Sequence, residues 1–592
     1  MRVWLISWVG LVGMGVLLCL GTNATAAETP NPTPHLQLTG LTDPALIRNV
    51  GLSVPPIRFD CAAPEVMIQR YLASARTAAE QALQALGHFN ARIETSMTDI
   101  GGCREPALSI TPGPVVRIAA VQLKIRNAAG DDLSQAAFLR DFLRTAVPTV
   151  GAPLNQGVYT TLREGIWARV RGQGYLDARW RTHELIVDPK TNTARFDLDM
   201  AAGKPYRIGT ITVEQSILKP ALAERLTGSR PGDPYSTRTL VAMNQNLLGS
   251  DYFSDVRVRP QTDARVDDTI PIVIKTTASH PSSYEARIGY GTDTGARLGA
   301  KMQRRYINSS GHHWKADFSL AQRQQTLNAT YTIPRLSDPL KQHYDIYATI
   351  DRERNLGITT LSSTTGAQWV RNFNRWTSSL FSEYLLERSQ FGSTPAKTSH
   401  FWLMGARLGW QNLNDLLFPT RGLVFNATLS TAARPLLSSA SLIRGDVMLG
   451  GLYPIGDWIF KGRVELGGIS TSDFSQMPKS LRFFAGGDQS VRGYAYQSLG
   501  PKDATGQVIG GQYLITSSAE AMYPVYGRNW YAAAFVDSGN AFDTLQGMHL
   551  NTGAGVGVRW RSPVGQVRVD VAYPFDGTSH TPRLSLGIGA AF

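Results

Sequence analysis

The chain carries the stretch Gly486-Gly487-Asp488-Gln489-Ser490-Val491-Arg492-Gly493-Tyr494 in its last third. The segments on both sides of this stretch alternate apolar and polar residues, which is typical of membrane β-strands. A glycine-rich connection between such strands can turn back into the interior of a barrel. An arginine in that interior needs a carboxylate partner, because a buried charge without one is costly. If Arg492 points into the lumen of such a barrel, the chain must therefore supply an acid beside it.

The region 281–592 consists of short alternating segments separated by turn residues. One face of each segment is apolar and the other polar, as in strands that separate lipid from a wet lumen. Three apolar faces are Trp314, Ala316, Phe318 and Leu320, then Leu423, Phe425, Ala427 and Leu429, and finally Val567, Val569, Val571 and Tyr573. A soluble sandwich also alternates, but charged inner faces favour a barrel. We predict a mainly β fold with a transmembrane β-barrel over 281–592. Spacing alone permits about 12, 14 or 16 antiparallel strands.

Residues 1–26 have the features of a secretory signal peptide. Arg2 precedes an apolar run from Val3 to Leu20, and Ala24-Thr25-Ala26 is a small-residue cleavage site. Beyond Leu20 the sequence has no stretch of about 18 apolar residues, which excludes a bundle of transmembrane helices. A chain of this kind can enter a membrane again only as a closed barrel, which satisfies every backbone polar group.

Removal of residues 1–26 leaves two cysteines, Cys61 and Cys103. In an exported protein an isolated pair usually forms a disulfide. This disulfide would close a loop of about 43 residues and contribute about 4 kcal/mol in the chain-entropy model. Two such ligands without a nearby histidine pair do not favour a metal site, so we expect neither a metal nor a cofactor.

A formal net charge of +13 would ordinarily indicate nucleic acid as a partner. The basic residues are scattered, however, and no block of five or six like charges occurs. We therefore expect no nucleic acid partner. An exported basic protein can instead meet anionic lipid headgroups of the outer membrane.

A helix that ends in a turn, followed by an aromatic residue and an alternating strand, occurs three times. The copies lie at Ala85–Ile93, Gly172–Trp180 and Gly249–Val258, at a spacing of about 80 residues that suits small α/β domains. We predict three such domains, over 27–115, 116–204 and 205–280. Their aromatic residues Phe89, Tyr175 and Tyr252 are expected to be core residues that hold a helix against a sheet.

These repeats resemble POTRA domains, which are polypeptide-transport modules of β-α-α-β-β order. Together with the signal peptide, the barrel and the Val491-Arg492-Gly493-Tyr494 loop, the mature chain resembles the TamA family. Its members are outer-membrane subunits of the translocation and assembly module and are related to BamA. The resemblance implies a barrel of about 16 strands and a loop that returns into the lumen.

The resemblance also implies an acidic partner for Arg492 within a Phe-x-Asp-x-Gly pattern. This sequence has Phe535-Val536-Asp537-Ser538-Gly539, and Glu520 matches the second acidic position. The planar guanidinium suits this role, because it binds a carboxylate through two hydrogen bonds. The resemblance therefore implies a lock in which Asp537 and Glu520 hold Arg492.

The last residues alternate in the same way, with Leu586 and Ile588 on the lipid face and Gly587 on the lumen face. The chain ends on the aromatic residue Phe592, which resembles the terminal strand signal read by outer-membrane assembly machinery. Inward glycines leave this strand with little packing. A lateral opening between the first and last strands would require such a strand.

The resemblance implies an assembly factor for outer-membrane proteins, particularly autotransporters, in the bacterial outer membrane with its POTRA domains in the periplasm. A client strand would pair with the first barrel strand near 283–300, and a TamB-like, inner-membrane-anchored periplasmic protein would be the partner. The alternative is a two-partner secretion transporter, but those usually carry two POTRA domains and a plug helix. The sequence has no Gly-x-Ser-x-Gly, His-Glu-x-x-His or P-loop pattern, so we expect no enzyme.

Overall fold

The computed structural model of the protein describes residues 33–563, 565–577 and 581–589. The predicted signal peptide and Phe592 of the predicted terminal signal lie outside these residues. The chain forms two compact units, of which the first ends at Lys204 and the second begins at Pro205.

Three small α/β domains follow one another with the same β-α-α-β-β order. The first contains β1 (Gln37–Thr39), α1 (Pro44–Ser53), α2 (Glu65–Ala85), β2 (Arg92–Ile100) and β3 (Cys103–Thr111). The second contains β4 (Arg117–Asn127), α3 (Ala137–Ala146), α4 (Gln156–Gly172), β5 (Arg179–Asp188) and β6 (Thr193–Gly203). The third contains β7 (Arg207–Glu214), α5 (Pro220–Arg225), α6 (Thr237–Gly249), β8 (Phe253–Pro260) and β9 (Thr269–Ala278). In each sheet the last strand lies between the other two. The edge strands are therefore β1 and β2 in the first sheet, β4 and β5 in the second, and β7 and β8 in the third.

Helix α2 illustrates why these segments fold as they do. Its buried residues Leu72, Ala75, Ala79 and Leu83 recur every three or four positions and therefore share one face. The helix ends just before Gly87, whose φ of +89° favours glycine. A Cβ at this position would lie 2.9 Å from the carbonyl oxygen of Leu154.

The aromatic residues that follow the helices do more than the sequence predicts. Tyr175 packs against the core of its own domain, as expected. Phe89 packs against the core of the second domain although it follows the helix of the first. Tyr252 is buried, and its hydroxyl donates to the carbonyl of Gly311 in the barrel at 2.5 Å. Two of the three residues therefore also join a domain to the next part of the chain.

The structure joins Cys61 and Cys103 by a disulfide with a Cα–Cα distance of 4.6 Å. Cys61 lies in the link between α1 and α2, and Cys103 begins β3. The bond therefore ties the connection between the helices to the central strand of the sheet.

Sixteen antiparallel strands form one sheet in which each strand is hydrogen-bonded to its neighbours in chain order. The predicted 16-stranded architecture is thus confirmed. The strands are β10 (Ser282–Gly291), β11 (Gly295–Arg304), β12 (His313–Ala321), β13 (Gln324–Pro334), β14 (Gln342–Asn355), β15 (Ile358–Phe373), β16 (Trp376–Phe391), β17 (Lys397–Gln411), β18 (Gly422–Ala432), β19 (Leu442–Ile455), β20 (Trp458–Thr471), β21 (Tyr513–Tyr526), β22 (Trp530–Phe542), β23 (Asn551–Ser562), β24 (Gly565–Pro574) and β25 (Arg583–Gly589).

The outer face of this sheet is apolar, with exposed residues such as Leu361, Leu380 and Leu429. Aromatic pairs gather at the strand ends nearest the third α/β domain, namely Trp376–Trp410, Trp458–Tyr523 and Trp530–Trp560. Such a girdle is typical of a membrane–water interface. Within the described ranges no helix is long and apolar enough to cross a membrane.

Candidate functional site: the lumen loop and the barrel seam

Residues 472–512, between β20 and β21, form the lumen loop. This loop contacts the wall on strands far from its own. The Lys479 ammonium lies 2.7 Å from Glu353 Oε2 on β14. Asn355 Nδ2, also on β14, donates to the carbonyl of Tyr496 at 2.9 Å. Because β20 and β14 are six strands apart, the loop crosses the interior of the barrel.

The lumen loop shares an apolar core with the inner wall. The loop contributes Met477, Leu481, Phe483, Ala485, Val491 and Leu499. The wall contributes Phe381, Leu385, Phe401, Leu403, Leu442, Ile469, Leu514 and Ala541. Burial of this apolar surface favours the inserted position of the loop. The loop is therefore packed into the lumen as well as bonded to its wall.

Arg492 lies at the centre of a charge cluster on the inner wall. Its Nε and Nη2 donate to the two carboxylate oxygens of Asp537 at 2.7 and 2.9 Å, and its backbone N–H donates to the same side chain at 3.0 Å. Its Nη1 donates to Glu520 Oε2 at 2.7 Å and to Asp570 Oδ2 at 3.3 Å. The guanidinium also stacks on Phe535, with 3.4 Å from its carbon to the ring centroid.

Arg492 is 5% exposed, so its charge depends on these partners. Burial by itself lowers the pKa of Arg492, but the hydrogen bonds and charge of Asp537, followed by the charges of Glu520 and Asp570, raise it overall. The guanidinium therefore stays protonated inside the barrel. The structure thus brings together Arg492, Asp537 and Glu520 as the resemblance implies.

A second arginine, Arg559 on β23, completes the charge cluster, and the sequence analysis missed it. Its Nε and Nη2 donate to Glu520 at 3.0 and 2.8 Å, and its Nη1 donates to Asp570 on β24. Arg559 is 1% exposed and is among the largest fully buried side chains. The charge cluster therefore contains two guanidiniums, Arg492 and Arg559, and three carboxylates, Glu520, Asp537 and Asp570.

Glycines on β23 make room for this arrangement. A Cβ at Gly553 would lie 2.1 Å from the carbonyl oxygen of Arg492, and one at Gly557 would overlap Asp570. Gly553, Gly555 and Gly557 alternate on the inner face of the strand and precede Arg559 in the same alternation. This series of small residues is the sequence signal that indicates where a bulky group packs against the wall.

The other predicted residues of the lock occupy distinct places. Val491 belongs to the apolar core of the loop. Gly493 has a φ of +98° and passes Pro574 on β24. The hydroxyl of Tyr494 bonds to the carbonyls of Thr552 and Asp576 at 3.0 Å. Gly539 does not hold the loop itself: a Cβ there would lie 2.6 Å from the carbonyl oxygen of Ile515, so glycine allows β21 and β22 to approach.

Strands β10 and β25 lie at the two ends of the sheet, and we call the junction between them the seam. Within the described residues no ladder joins them. Thr292, just after β10, donates its N–H to the carbonyl of Leu586 at 3.3 Å and accepts from the N–H of Leu586 at 2.7 Å through Oγ1. Leu586, Gly587 and Ile588 also line a cavity of about 300 Å³ together with Tyr290 and Arg568. The seam is therefore loosely packed, whereas every other pair of neighbouring barrel strands is joined by a ladder.

The described chain has no group of three His, Cys, Asp or Glu side chains placed to hold a metal ion. The acids of the charge cluster are instead bound to guanidiniums. Chemically, this arrangement can hold a loop in place and leave a strand edge available for pairing. The site can therefore hold the lumen loop in position and bind another strand.

The fold and the lumen loop define a 16-stranded outer-membrane barrel preceded by three POTRA-like domains. Residues 307–592 match the Omp85 superfamily domain, and residues 35–112 match the first POTRA domain of TamA. The barrel is thus similar to the Omp85 superfamily domain and lies in the outer membrane, and the first α/β domain is similar to a TamA-type POTRA domain and lies in the periplasm.

Two relatives are outer membrane protein assembly factors named BamA. The one from Neisseria meningitidis serogroup B is 24% identical over 461 residues, which is 66% of this chain and 57% of the relative. The one from Nitratidesulfovibrio vulgaris is 21% identical over 389 residues, which is 61% of this chain and 48% of the relative. The chain thus spans about half the length of these relatives.

A solved structure of BamA from Haemophilus ducreyi, lacking POTRA domains 1–3, has a similar fold. The TM-score is 0.65 at 16% sequence identity, and the match covers 80% of this chain and 99% of that structure. At this identity the similarity concerns the fold alone.

Proposed function

We propose that the protein assembles other outer-membrane proteins, particularly autotransporters, by pairing a client strand with β10 at the seam. The observation that carries this proposal is the contrast along β10. One edge of the strand pairs with β11 over its whole length, from Ser282 to Gly291. The opposite edge has no ladder with β25 among the residues described.

Pairing at this edge has a physical driving force. An unpaired strand edge in lipid leaves backbone N–H and C=O groups unsatisfied, and each such group is costly without water. A client strand can satisfy these groups by adding to the sheet. The lipid-facing residues Tyr284 and Ile288 are strongly exposed on β10 and could pack beside a client. Insertion would then proceed without nucleotide or metal.

The lumen loop disfavours the alternative of a two-partner secretion transporter. That function requires passage of a polypeptide through the lumen. In this protein the loop crosses the lumen, shares a core with the wall and is held by the charge cluster. Export through the interior would require removal of the whole loop, whereas lateral insertion would not.

The match to a TamA-type POTRA domain supports autotransporters as the clients and a TamB-like protein as the partner. Residues 35–112 match that domain, and we propose a TamB-like, inner-membrane-anchored periplasmic protein as the partner. The edge strands β2, β5 and β8 could receive an incoming client chain. These edges would guide a client to β10.

Site-specific photo-crosslinking tests this proposal. A photoreactive residue in place of Ile288 on β10 is expected to capture client outer-membrane proteins in growing cells. The same residue in place of Leu361 on β15 is a matched control, because Leu361 is also a lipid-facing side chain but lies on a fully paired strand. Depletion of the protein should also remove selected barrels from the outer membrane.

Two outcomes would contradict the proposal. Equal capture at Ile288 and Leu361 would show that β10 has no special role. Loss of one secreted soluble protein, with an unchanged set of membrane barrels after depletion, would instead favour the transporter.

A further inference from the structure

Three separate segments meet at the end of the seam that lies farther from the third α/β domain. They are the turn between β10 and β11, which contains Asp293, the lumen loop at Gly487-Asp488, and Ser585 on β25. The backbone N–H of Asp488 donates to Asp293 Oδ2 at 2.7 Å. The hydroxyl of Ser585 donates to Asp488 Oδ1. One residue of the loop therefore bonds to both sides of the seam.

The backbone at this point is shaped for close approach. Gly487 has a φ of +104°, and a Cβ on it would lie 2.7 Å from Asp293 Oδ2 and 3.1 Å from the Cα of Tyr496. Only glycine allows the carboxylate of Asp293 to reach the N–H of Asp488 in this conformation. The backbone conformation of the loop at Gly487 therefore determines this contact.

This contact compensates for the missing ladder. The cavity of about 300 Å³ adjoins this contact, and Asp293, Asp488, Leu586 and Ile588 help to line it. The two strands themselves share the hydrogen bonds between Thr292 and Leu586. The bonds through Asp488 are therefore a large part of what connects the two sides of the seam.

We propose that Asp488 is a positioning residue and that Asp293, Asp488 and Ser585 form a latch by which the lumen loop holds the seam closed. Arg492 lies four residues after Asp488 on the same loop, so a displacement of the loop that breaks the lock also opens the latch. This inference rests on the proposed function in that the seam is the place of insertion. The latch itself acts in the absence of any client.

Hydrogen–deuterium exchange on the full-length protein in lipid nanodiscs, without a client, tests the latch. In Ser585→Ala and Asp488→Ala we expect peptides covering β10 and β25 to exchange about tenfold faster or more, as loss of a hydrogen bond to a charged group implies. Ser585→Thr keeps the hydroxyl and should restore the slow exchange. Asp503→Ala is the matched control, because Asp503 lies in the same loop and its carboxylate accepts hydrogen bonds from Thr505 and Gln507 in its own turn.

Unchanged exchange in Ser585→Ala would overturn the latch. The same acceleration in Asp503→Ala would also overturn it, since general loosening of the loop would then be the cause. Client assembly by the same variants separates the two proposals. Faster exchange at the seam without any effect on client assembly would leave the latch in place and count against the proposed function.

Discussion

Strands β15 and β16 have 16 residues each and pair along their whole length, from Ile358–Phe391 to Phe373–Trp376. Strands β10 and β25 have 10 and 7 residues, and in the described chain they share the two hydrogen bonds between Thr292 and Leu586. Both regions belong to one wall made of the same kinds of residues. The comparison shows that backbone hydrogen bonds between strands are numerous within the wall and few at the seam.

Inside the barrel, the lumen loop bonds both to strands with ladders and to the seam. Near β21 to β24, the charge cluster and Tyr494 fix the lumen loop to the wall with many short hydrogen bonds. Near the seam the loop contributes the bonds of Asp488. The wall with the weakest ladder thus receives support from inside, and that support can be withdrawn by moving a loop rather than by breaking a sheet.

The largest expected effect comes from closing the seam covalently. The double variant Thr292→Cys with Leu586→Cys places two thiols where the backbones already bond to each other. Its disulfide should abolish client assembly, because β10 could no longer accept another strand, and a reductant should restore it. The measurement is the amount of assembled client barrel in oxidised and reduced cells.

The control for that experiment lies on the fully paired wall. Leu380→Cys with Ala406→Cys crosslinks outward-facing register partners on β16 and β17. This pair should leave assembly intact. Wild-type protein with reductant controls for reduction of the disulfide between Cys61 and Cys103. If the seam disulfide left assembly unchanged, insertion at this junction would be refuted.

Loss of the lock should have the next largest effect. Arg492→Ala leaves Asp537, Glu520 and Asp570 close together with one guanidinium fewer. Breaking a buried pair in this way typically costs about 3–5 kcal/mol, so the loop should leave the lumen and become accessible to added protease. Lys502→Ala removes an exposed positive charge from the same loop and should remain protected. Equal protection of Arg492→Ala would contradict the lock.

Arg559 should be coupled to Arg492, because both bind Glu520 and Asp570. In a double-mutant cycle of Arg492→Ala and Arg559→Ala, we expect a coupling energy of about 1–3 kcal/mol in the free energy of unfolding, as is typical of residues in one network. Urea unfolding in detergent micelles measures it. Arg561→Ala is the matched control, since this half-exposed residue pairs with Asp415 at the surface and should cost at most about 1 kcal/mol. Additive effects of the first two variants would show that the arginines act separately.

The architecture could be predicted from the sequence because it depends on local patterns. Alternation with a period of two predicts strands wherever it occurs, and the helix-turn-aromatic repeat predicts the α/β domains. The family resemblance added the pairing of Arg492 with Asp537 and Glu520, which the structure brings within hydrogen-bond distance. Each of these signals is a short pattern of neighbouring residues in the sequence.

The remaining features depend on register and closure. Arg559 on β23 meets Glu520 on β21 across the one intervening strand, β22, and the lengths of the two turns set that alignment. Asp488 meets Asp293 over a separation of 195 residues, and Leu586 meets Thr292 over 294. Such contacts exist only once the sheet has rolled up, so no local pattern predicts them. The alternation of Arg568 and Asp570 with valines shows that both face the lumen, but it does not identify their partners.

The smallest expected effect is a dependence of the seam on pH, which comes from the latch. Burial, and then the charge of Asp488, raises the pKa of Asp293 to about 6. Burial also raises the pKa of Asp488. The charged groups that face the two acids are Arg323, Arg583, Arg568, Asp570 and Arg492. In an open latch the carboxyl of Asp293 would face water, and its pKa would return toward the ordinary, lower value.

The closed latch therefore binds a proton more tightly than the open latch. The stabilisation by this proton is complete below the ordinary pKa of an aspartate and is lost as pH rises from there through about 6. Between about pH 8 and about pH 5, we expect a shift toward the closed seam on the order of tenfold. Spin labels on Ile288→Cys and Leu584→Cys, two outward-facing residues on either side of the seam, would report it as a shorter distance at low pH. Asp293→Asn keeps an oxygen acceptor without a titrating proton, so only the smaller pH dependence that comes from Asp488 should remain. A pH dependence of undiminished size in Asp293→Asn would mean that Asp293 does not control the seam.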